Sequence, residues 1–356
     1  MGRHHSPETT AGRDRSAVRT VALALAGLTV FVLAMVASYS GAFAKPTLHH
    51  LTVAVSAPDQ IVENLRHQHE LALNVVDDPA AARQQVYERR ADTAFAVTSE
   101  HDMTIYVAGG GGHSVALAAE TVGQATAERA GLTPRVEDVA PTSAGDPSGT
   151  VEFYAVIFIS IGASLGAALL GRLMGPVRTP ATLGRRTLSL AAFSAVLAGS
   201  VTVYVGPVLG ALTTHTWQVF GVLWLYAMAV GGAVTGVAAA FGMLASVLLG
   251  LFLVVVGNAA AAGPVGRPLL SGFYATFTSV VPQGSGVSLL RSISYFGGHG
   301  AAVPLATLGI WAGAGCLLAI LATAARVNYR ALYERRAEWT RRHRGLLRSR
   351  LVPSAD

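Results

Sequence analysis

Charge in this chain is confined to a few blocks, and the apolar stretches between them limit what it can fold into. One apolar segment near the N-terminus is followed by a polar stretch from Lys45 to Thr150, and then by an almost uninterrupted apolar block from Val151 to Ala325. An α-helix needs roughly 20 apolar residues to cross the hydrocarbon core, and only helices or closed barrels satisfy every backbone polar group inside it. The pattern predicts a mainly α, polytopic membrane protein carrying one soluble insert. A composition of 52% hydrophobic and 13% charged residues fits that class.

Six spans are predicted. The first covers about Val21 to Ala42, the second Val151 to Leu170, the third Leu188 to Leu212 and the last Val303 to Ala325. Between them, Trp217 to Gly257 is 41 residues without a charge, roughly 60 Å of helix and twice the bilayer core. This segment must turn once. Phe241-Gly242 is the expected place, which leaves a short fifth span.

Arginine sets the expected orientation. Arg3, Arg13, Arg15 and Arg19 precede the first span; Arg172, Arg178, Arg185 and Arg186 lie between the second and third; nine more run from Arg326 to Arg350. In a six-span chain all three clusters share a side, and the positive-inside rule makes that side cytoplasmic. The expected division is a cytoplasmic basic tail over 1–19, a signal-anchor span over 20–44, an extracytoplasmic α/β domain over 45–150, a membrane domain over 151–325 with an outer interfacial segment at 259–302, and a cytoplasmic Arg-rich tail over 326–356. The insert holds seven basic and fourteen acidic residues, so the net charge of +6 comes from the cytoplasmic ends. The basic balance therefore points to anionic lipid, and no nucleic-acid partner is expected. Ala42-Phe43-Ala44 also resembles a signal-peptidase site, but the apolar run is longer than the usual signal core. Cys316, the sole cysteine, sits in the last span, so the insert has no disulfide.

Within the insert, strands are predicted at Leu51–Ser56, Leu71–Val76, Asp92–Thr98 and Met103–Ala108, and helices at Asp59–His69, Asp78–Arg89 and Ser114–Ala130. That alternation implies a small α/β domain with a partly parallel sheet. Ala140 to Gly149 reads as a linker. Gly109 to Gly112 follows a strand and precedes a helix, as a phosphate-cradling loop would, yet the dinucleotide glycine pattern fails at Ser114 and a flexible turn is the simpler reading. His67 and His69 face different sides of a helix, a poor start for a metal site. Gly162-x-x-x-Gly166, Gly206-x-x-x-Gly210 and Gly232-x-x-x-Gly236 suggest close helix packing without naming a partner. No nucleophile, base or metal constellation is visible, so no enzyme activity, cofactor or metal is expected. Lys45, the one lysine, is in no Walker context, so the chain is not its own P-loop ATPase. Spans three to six carry no acidic or basic residue in their cores, and Glu152 at the outer end of span two is the only acid near them, which argues against ion coupling.

The stretch from Gly257 to Gly298 is the most distinctive. Pro264 and Pro268 punctuate it, Leu269-Leu270-Ser271-Gly272-Phe273-Tyr274 leads to Val281-Pro282, and Leu290-Arg291 leads to Tyr295-Phe296-Gly297-Gly298. It is too apolar for an ordinary loop and too interrupted to span, so short helices lying in the outer interface or re-entering are expected. With Asp138-Val139-Ala140-Pro141 and Asp146-Pro147-Ser148-Gly149 before span two, this segment resembles the membrane domain of type-2 ABC exporter permeases and the related phage-infection-protein (YhgE/Pip-like) family. The resemblance runs from about Leu51 to Val327. It implies one span, a large extracytoplasmic domain and five further spans, and says nothing of substrate.

Two functions follow as expectations. One is a permease-like subunit of an ABC-type exporter, dimerising through its spans, with ATP hydrolysis supplied by a separate cytoplasmic ATPase docked on Arg172, Arg178, Arg185 and Arg186. In that reading Pro282, Arg291 and Tyr295 form an outer gate. The other is a non-transporting envelope scaffold whose outer domain binds a ligand or partner. Arg291 is the only charge between Arg267 and Arg326, and either snorkels to lipid phosphate or makes a planar, bidentate contact.

Overall fold

The computed structural model describes the backbone of residues 8–175 and 177–349, with side chains over 17–175 and 177–329. Arg3 lies outside the described residues, and the side chains of the last eight arginines are likewise not described. Helix α1 (Glu8–Phe43) leads into the α/β domain, where β1 (Leu51–Ser56), α2 (Asp59–Arg66), β2 (Leu71–Val75), α3 (Pro79–Tyr87), β3 (Thr93–Val97), β4 (Asp102–Val107), α4 (His113–Arg129) and β5 (Thr133–Asp138) follow in turn. The sheet order is β2-β1-β3-β4-β5, parallel except for the β3–β4 pair. Asp78 caps α3 by accepting from the Ala81 N–H at 2.7 Å, and Pro79 takes the first helical position.

Strand β5 is an addition to the predicted four. It is an edge strand of sequence Thr-Pro-Arg-Val-Glu-Asp, almost wholly exposed. A strand with one solvated edge tolerates proline and charge, and so lacks the apolar alternation by which strands are found.

The helical unit comprises α5 (Val151–Met174), α6 (Pro180–Val203), α7 (Thr216–Phe241), α8 (Met243–Phe252), α9 (Gly272–Thr278), α10 (Pro282–Tyr295) and α11 (Ala302–Ser349). Among the described residues, five helical stretches are long and apolar enough to cross a membrane: Ala17–Phe43, Val151–Met174, Pro180–Val208, Thr216–Phe241 and Ala302–Tyr329. The sixth expected span is not of full length. The chain breaks at Gly242, at φ 90°, where the turn was expected, but the apolar helix that follows, Met243–Gly257, ends in a π-helical turn and has 15 residues, about 23 Å. It still joins the two ends of the unit. Arg326 donates to the carbonyls of Val177 (2.7 Å) and Ala239 at one end, whereas Ala259 and Ala262 are packed into the α/β domain at the other.

Helix α7 is the buried axis of this unit, and the glycine motifs now have partners. A Cβ on Gly236 would come within 2.3 Å of the Gly315 carbonyl oxygen of α11, and one on Gly166 within 2.3 Å of the Phe193 ring of α6. These backbones touch because the side chains are missing. Helix α1 stands apart, its apolar side chains exposed from Val18 to Val36, with contacts gathered at its C-terminal end: Ser38 Oγ donates to the Val255 carbonyl at 2.8 Å and accepts from the Tyr274 hydroxyl at 3.1 Å.

The α/β domain does not close its core alone. On one face of the sheet, Leu51, Val53, Phe95 and Ile105 pack with α2, α4 and with Ala259, Ala262, Val265, Leu269 and Leu270 from the helical unit. On the other, Ala54, Ala94 and Ala96 pack with α3 and with Phe296. Segment 259–296 therefore belongs to both bodies.

Candidate functional site at the junction of the two bodies

Helices α9 and α10 form a hairpin. Pro282 opens α10 at its first turn, and the hairpin is tight because Gly284 has no side chain: a Cβ there would meet the Thr278 carbonyl oxygen at 1.9 Å. At the tip, Trp311 Nε1 donates to the Val280 carbonyl at 2.8 Å, and Gln283 Nε2 donates to the Leu253 carbonyl at 2.8 Å and to Ser160 Oγ at 3.1 Å. Ser160 lies eight residues along α5 from Glu152, so the tip sits about 12 Å below the junction. Helix α10 is therefore packed among α5, α7 and α11.

From the other end of α10, Arg291 reaches into the junction. It is 4% exposed. Nη1 donates to the carbonyls of Gly111 and Ala262, both at 3.1 Å; Nη2 donates to those of Gly149 (3.3 Å) and Gly263 (3.0 Å). One planar group thus ties together the α/β domain, the segment entering α5 and the loop following α8. Its charge is near Glu152 and Asp146, but among the described residues no carboxylate is within ion-pair distance of it. Tyr295, one turn further on, lies against the glycine loop, where a Cβ on Gly110 would come within 2.4 Å of its ring.

Beside Arg291 is a second arginine. Arg89 follows α3 with φ 59°, a left-handed backbone that non-glycine residues adopt at a cost. Its Nη1 donates to the Ser288 carbonyl (2.8 Å) and Ser292 Oγ (2.5 Å), and its guanidinium lies 5.0 Å from the centre of the Phe296 ring. Burial, reinforced by the neighbouring Arg291, lowers its pKa to about 10, so it stays charged near neutrality. Asp92 nearby accepts from the Thr52 N–H at 2.9 Å, and burial raises its pKa above the usual carboxylate value. Arg89, Asp92, Arg291 and the exposed Arg267 line a cavity of about 250 Å³.

A seam of buried polar side chains continues from this junction into the helical unit. Glu152, Ser160, Asn258 and Gln283 are each 0% exposed. Both carboxylate oxygens of Glu152, both polar atoms of Asn258, Oε1 of Gln283 and the hydroxyl of buried Tyr226 lack a protein partner at full hydrogen-bonding geometry, although Tyr295 lies close to Glu152, Ser160 to Tyr226 and Tyr39 to Asn258. The great majority of buried polar groups in proteins are paired, because an unpaired one costs about 1–3 kcal/mol.

Of the residues singled out in the sequence, Arg291 and Tyr295 meet at the junction, whereas Pro282 is at the hairpin tip, some three turns away. Arg291 faces protein carbonyls, so snorkelling to lipid phosphate is not its arrangement. At the opposite end of the helical unit, Arg172, Arg178 and Arg185 are exposed. Arg186 is buried and turned inward, donating to the Ala167 (3.4 Å) and Gly175 (3.5 Å) carbonyls, which removes it from any docking surface. The Gly109–Gly112 loop has no free amides for a phosphate: Gly109 donates to Asp138 (3.1 Å), Gly110 to Ala140, Gly111 to Ala108 and Gly112 to Gly109. Its glycines serve close approach to α10. Among the described residues no group of three or more His, Cys, Asp or Glu side chains could hold a metal ion. Sequence reasoning missed Arg89, Asp92, Arg267, Gln283 and Asn258, and noted Glu152 only as an isolated acid; proline-rich punctuation around Arg267 was the one available signal.

No family model, curated protein or solved structure matches this chain.

Proposed function

We propose that this protein is a permease-like subunit of an ABC-type exporter in the plasma membrane, with its α/β domain outside, both termini cytoplasmic and ATP hydrolysis supplied by a separate ATPase. The observation that carries this reading is the polar seam running from the junction, through Glu152, toward Ser160, Gln283, Tyr226 and Asn258. Buried polar groups are expensive inside a membrane bundle, the more so when poorly paired, and they are retained where a solute must be solvated on its way. An anchor for a scaffold domain has no need of them. In this reading α9–α10 is the outer gate, and Arg291 fastens its upper end to the α/β domain. The short helix α8 completes a sixth crossing, consistent with the shared side of the arginine clusters.

The ATPase would dock on the exposed Arg172, Arg178 and Arg185, and the bare apolar face of α1 offers lipid or a second copy a surface. The test is cross-linking and capture of the tagged chain from its native membranes. Wild type is expected to retain a cytoplasmic ATPase and the triple variant R172E/R178E/R185E to lose it, while the purified chain alone in liposomes hydrolyses no ATP. Intrinsic ATPase activity that survives removal of contaminants, or capture of no ATPase by wild type, would overturn the reading.

A further inference from the structure

The cavity beside Arg291 is the inner lobe of a longer cleft. Arg89, Arg267, Thr278, Gly284 and Ser288 line both it and a second lobe of about 340 Å³, which extends to Val303 and Pro304 at the start of α11. Three guanidinium groups face this space against one carboxylate, Asp92, an excess of two positive charges. The three cations differ in what they can still do. Arg291 has spent four donors on carbonyls and contributes only its field. Arg89 is partly committed to Ser288 and Ser292. Arg267 is exposed at the mouth, and among the described residues its guanidinium makes no hydrogen bond, only a longer-range attraction to Asp92, leaving its planar fork available. Hydroxyls of Ser279, Ser285 and Ser288 line the outer lobe.

We propose that this cleft binds a phosphate-bearing anion, held by Arg267 and Arg89 and assisted by the serine hydroxyls of the outer lobe. A phosphate group matches the set better than a single carboxylate does, since it carries one to two negative charges and several acceptor oxygens spread over a tetrahedron, suited to two guanidinium forks and neighbouring hydroxyls. The outer lobe ends where the apolar stretch of α11 begins, which in the proposed topology is the level of a lipid headgroup. The same chemistry is offered by a phospholipid headgroup and by a soluble phosphate compound.

Calorimetric titration of the full-length chain in neutral detergent distinguishes these sources, using inorganic phosphate in one arm and short-chain phosphatidic acid in the other. Saturable binding is expected in at least one arm. Phosphatidic acid alone identifies a headgroup site, phosphate alone a soluble ligand, and both a site that reads the phosphate itself; each supports the proposal. Arg267→Gln, an exposed change that leaves the fold intact, should weaken binding about tenfold or more, as loss of a charge-assisted contact requires. Arg267→Lys should recover part of that loss, Asp92→Asn should not weaken binding, and Arg129→Gln on the far side of the domain should match wild type. Absence of saturable binding in both arms, or equal binding by wild type and Arg267→Gln, overturns the proposal. Neither ATPase nor transport enters the measurement, so it succeeds or fails separately from the exporter reading.

Discussion

Replacing Arg291 tests how the two bodies are joined. The guanidinium donates four hydrogen bonds to carbonyls from three separate segments. Arg291→Ala leaves those four acceptors without their donor; at about 1 kcal/mol each, discounted where water enters and increased by lost packing of the stem, the expected cost is about 3–5 kcal/mol. Arg291→Lys keeps the charge but replaces a planar fork by a point ammonium with three donors, so at least one carbonyl stays bare and the others are met in poorer geometry. Its cost should be about 2–3 kcal/mol. Thermal unfolding of the purified full-length chain, followed by tryptophan fluorescence in detergent, reads both as a fall of several degrees in Tm. Limited proteolysis should show new cleavage between Ala140 and Gly149 or between Ala259 and Gly272, where the clamp is lost. An Arg291→Lys variant within about 0.5 kcal/mol of wild type, with unchanged proteolysis, would refute the reasoning, because only a simple snorkelling cation tolerates that exchange.

Gly110→Val places a branched side chain where the Tyr295 ring already lies, and should cost about 1–3 kcal/mol by overpacking, read as a lower Tm with the α/β domain released first under protease. Gly236→Leu forces α7 away from Gly315 and should lower the yield of folded protein in the membrane, whereas the same change at Gly250, which has open space around it, should be tolerated; equal yields would count against the α7–α11 contact. For topology, single cysteines at Glu100 and Ser354 in a Cys316→Ala background should label oppositely with an impermeant thiol reagent; labelling of both from outside intact cells contradicts six crossings. Asp92 has a raised folded-state pKa, so the stability it contributes is full below its ordinary value of 3.8 and is lost as pH rises through the higher folded value. Asp92→Asn removes that loss, and its Tm advantage over wild type should grow from about pH 4 upward; a pH-independent difference would be inconsistent with the shift.

Some features could be read directly from residue order. The apolar runs located the long helices, Gly242 marked the turn after α7, and the βα alternation of the insert appeared where strands face a core. Arg291 stood out because a lone charge in a long apolar stretch is costly anywhere except beside a partner. Strand β5 escaped because Pro134, Arg135, Glu137 and Asp138 obey the rules of a solvated edge. Arg186 was grouped with its exposed neighbours because charge alone does not say which way a side chain turns.

What the sequence by itself determined is what depends on chemistry summed over a local window: which segments are apolar enough for lipid, which alternate as strands, and where glycine breaks a helix. Contacts between segments far apart in the chain were decided only in the tertiary structure. Phe296 and Ala262 complete the core of a domain that begins more than two hundred residues earlier, and Arg89 meets Ser288 and Ser292 across a similar distance. Gln283 and Ser160 likewise pair across 123 positions in the seam. Each of these residues is unremarkable in its own window. Only folding sets its burial and its partner, and those determine whether a polar side chain is a solvated surface group or part of a site.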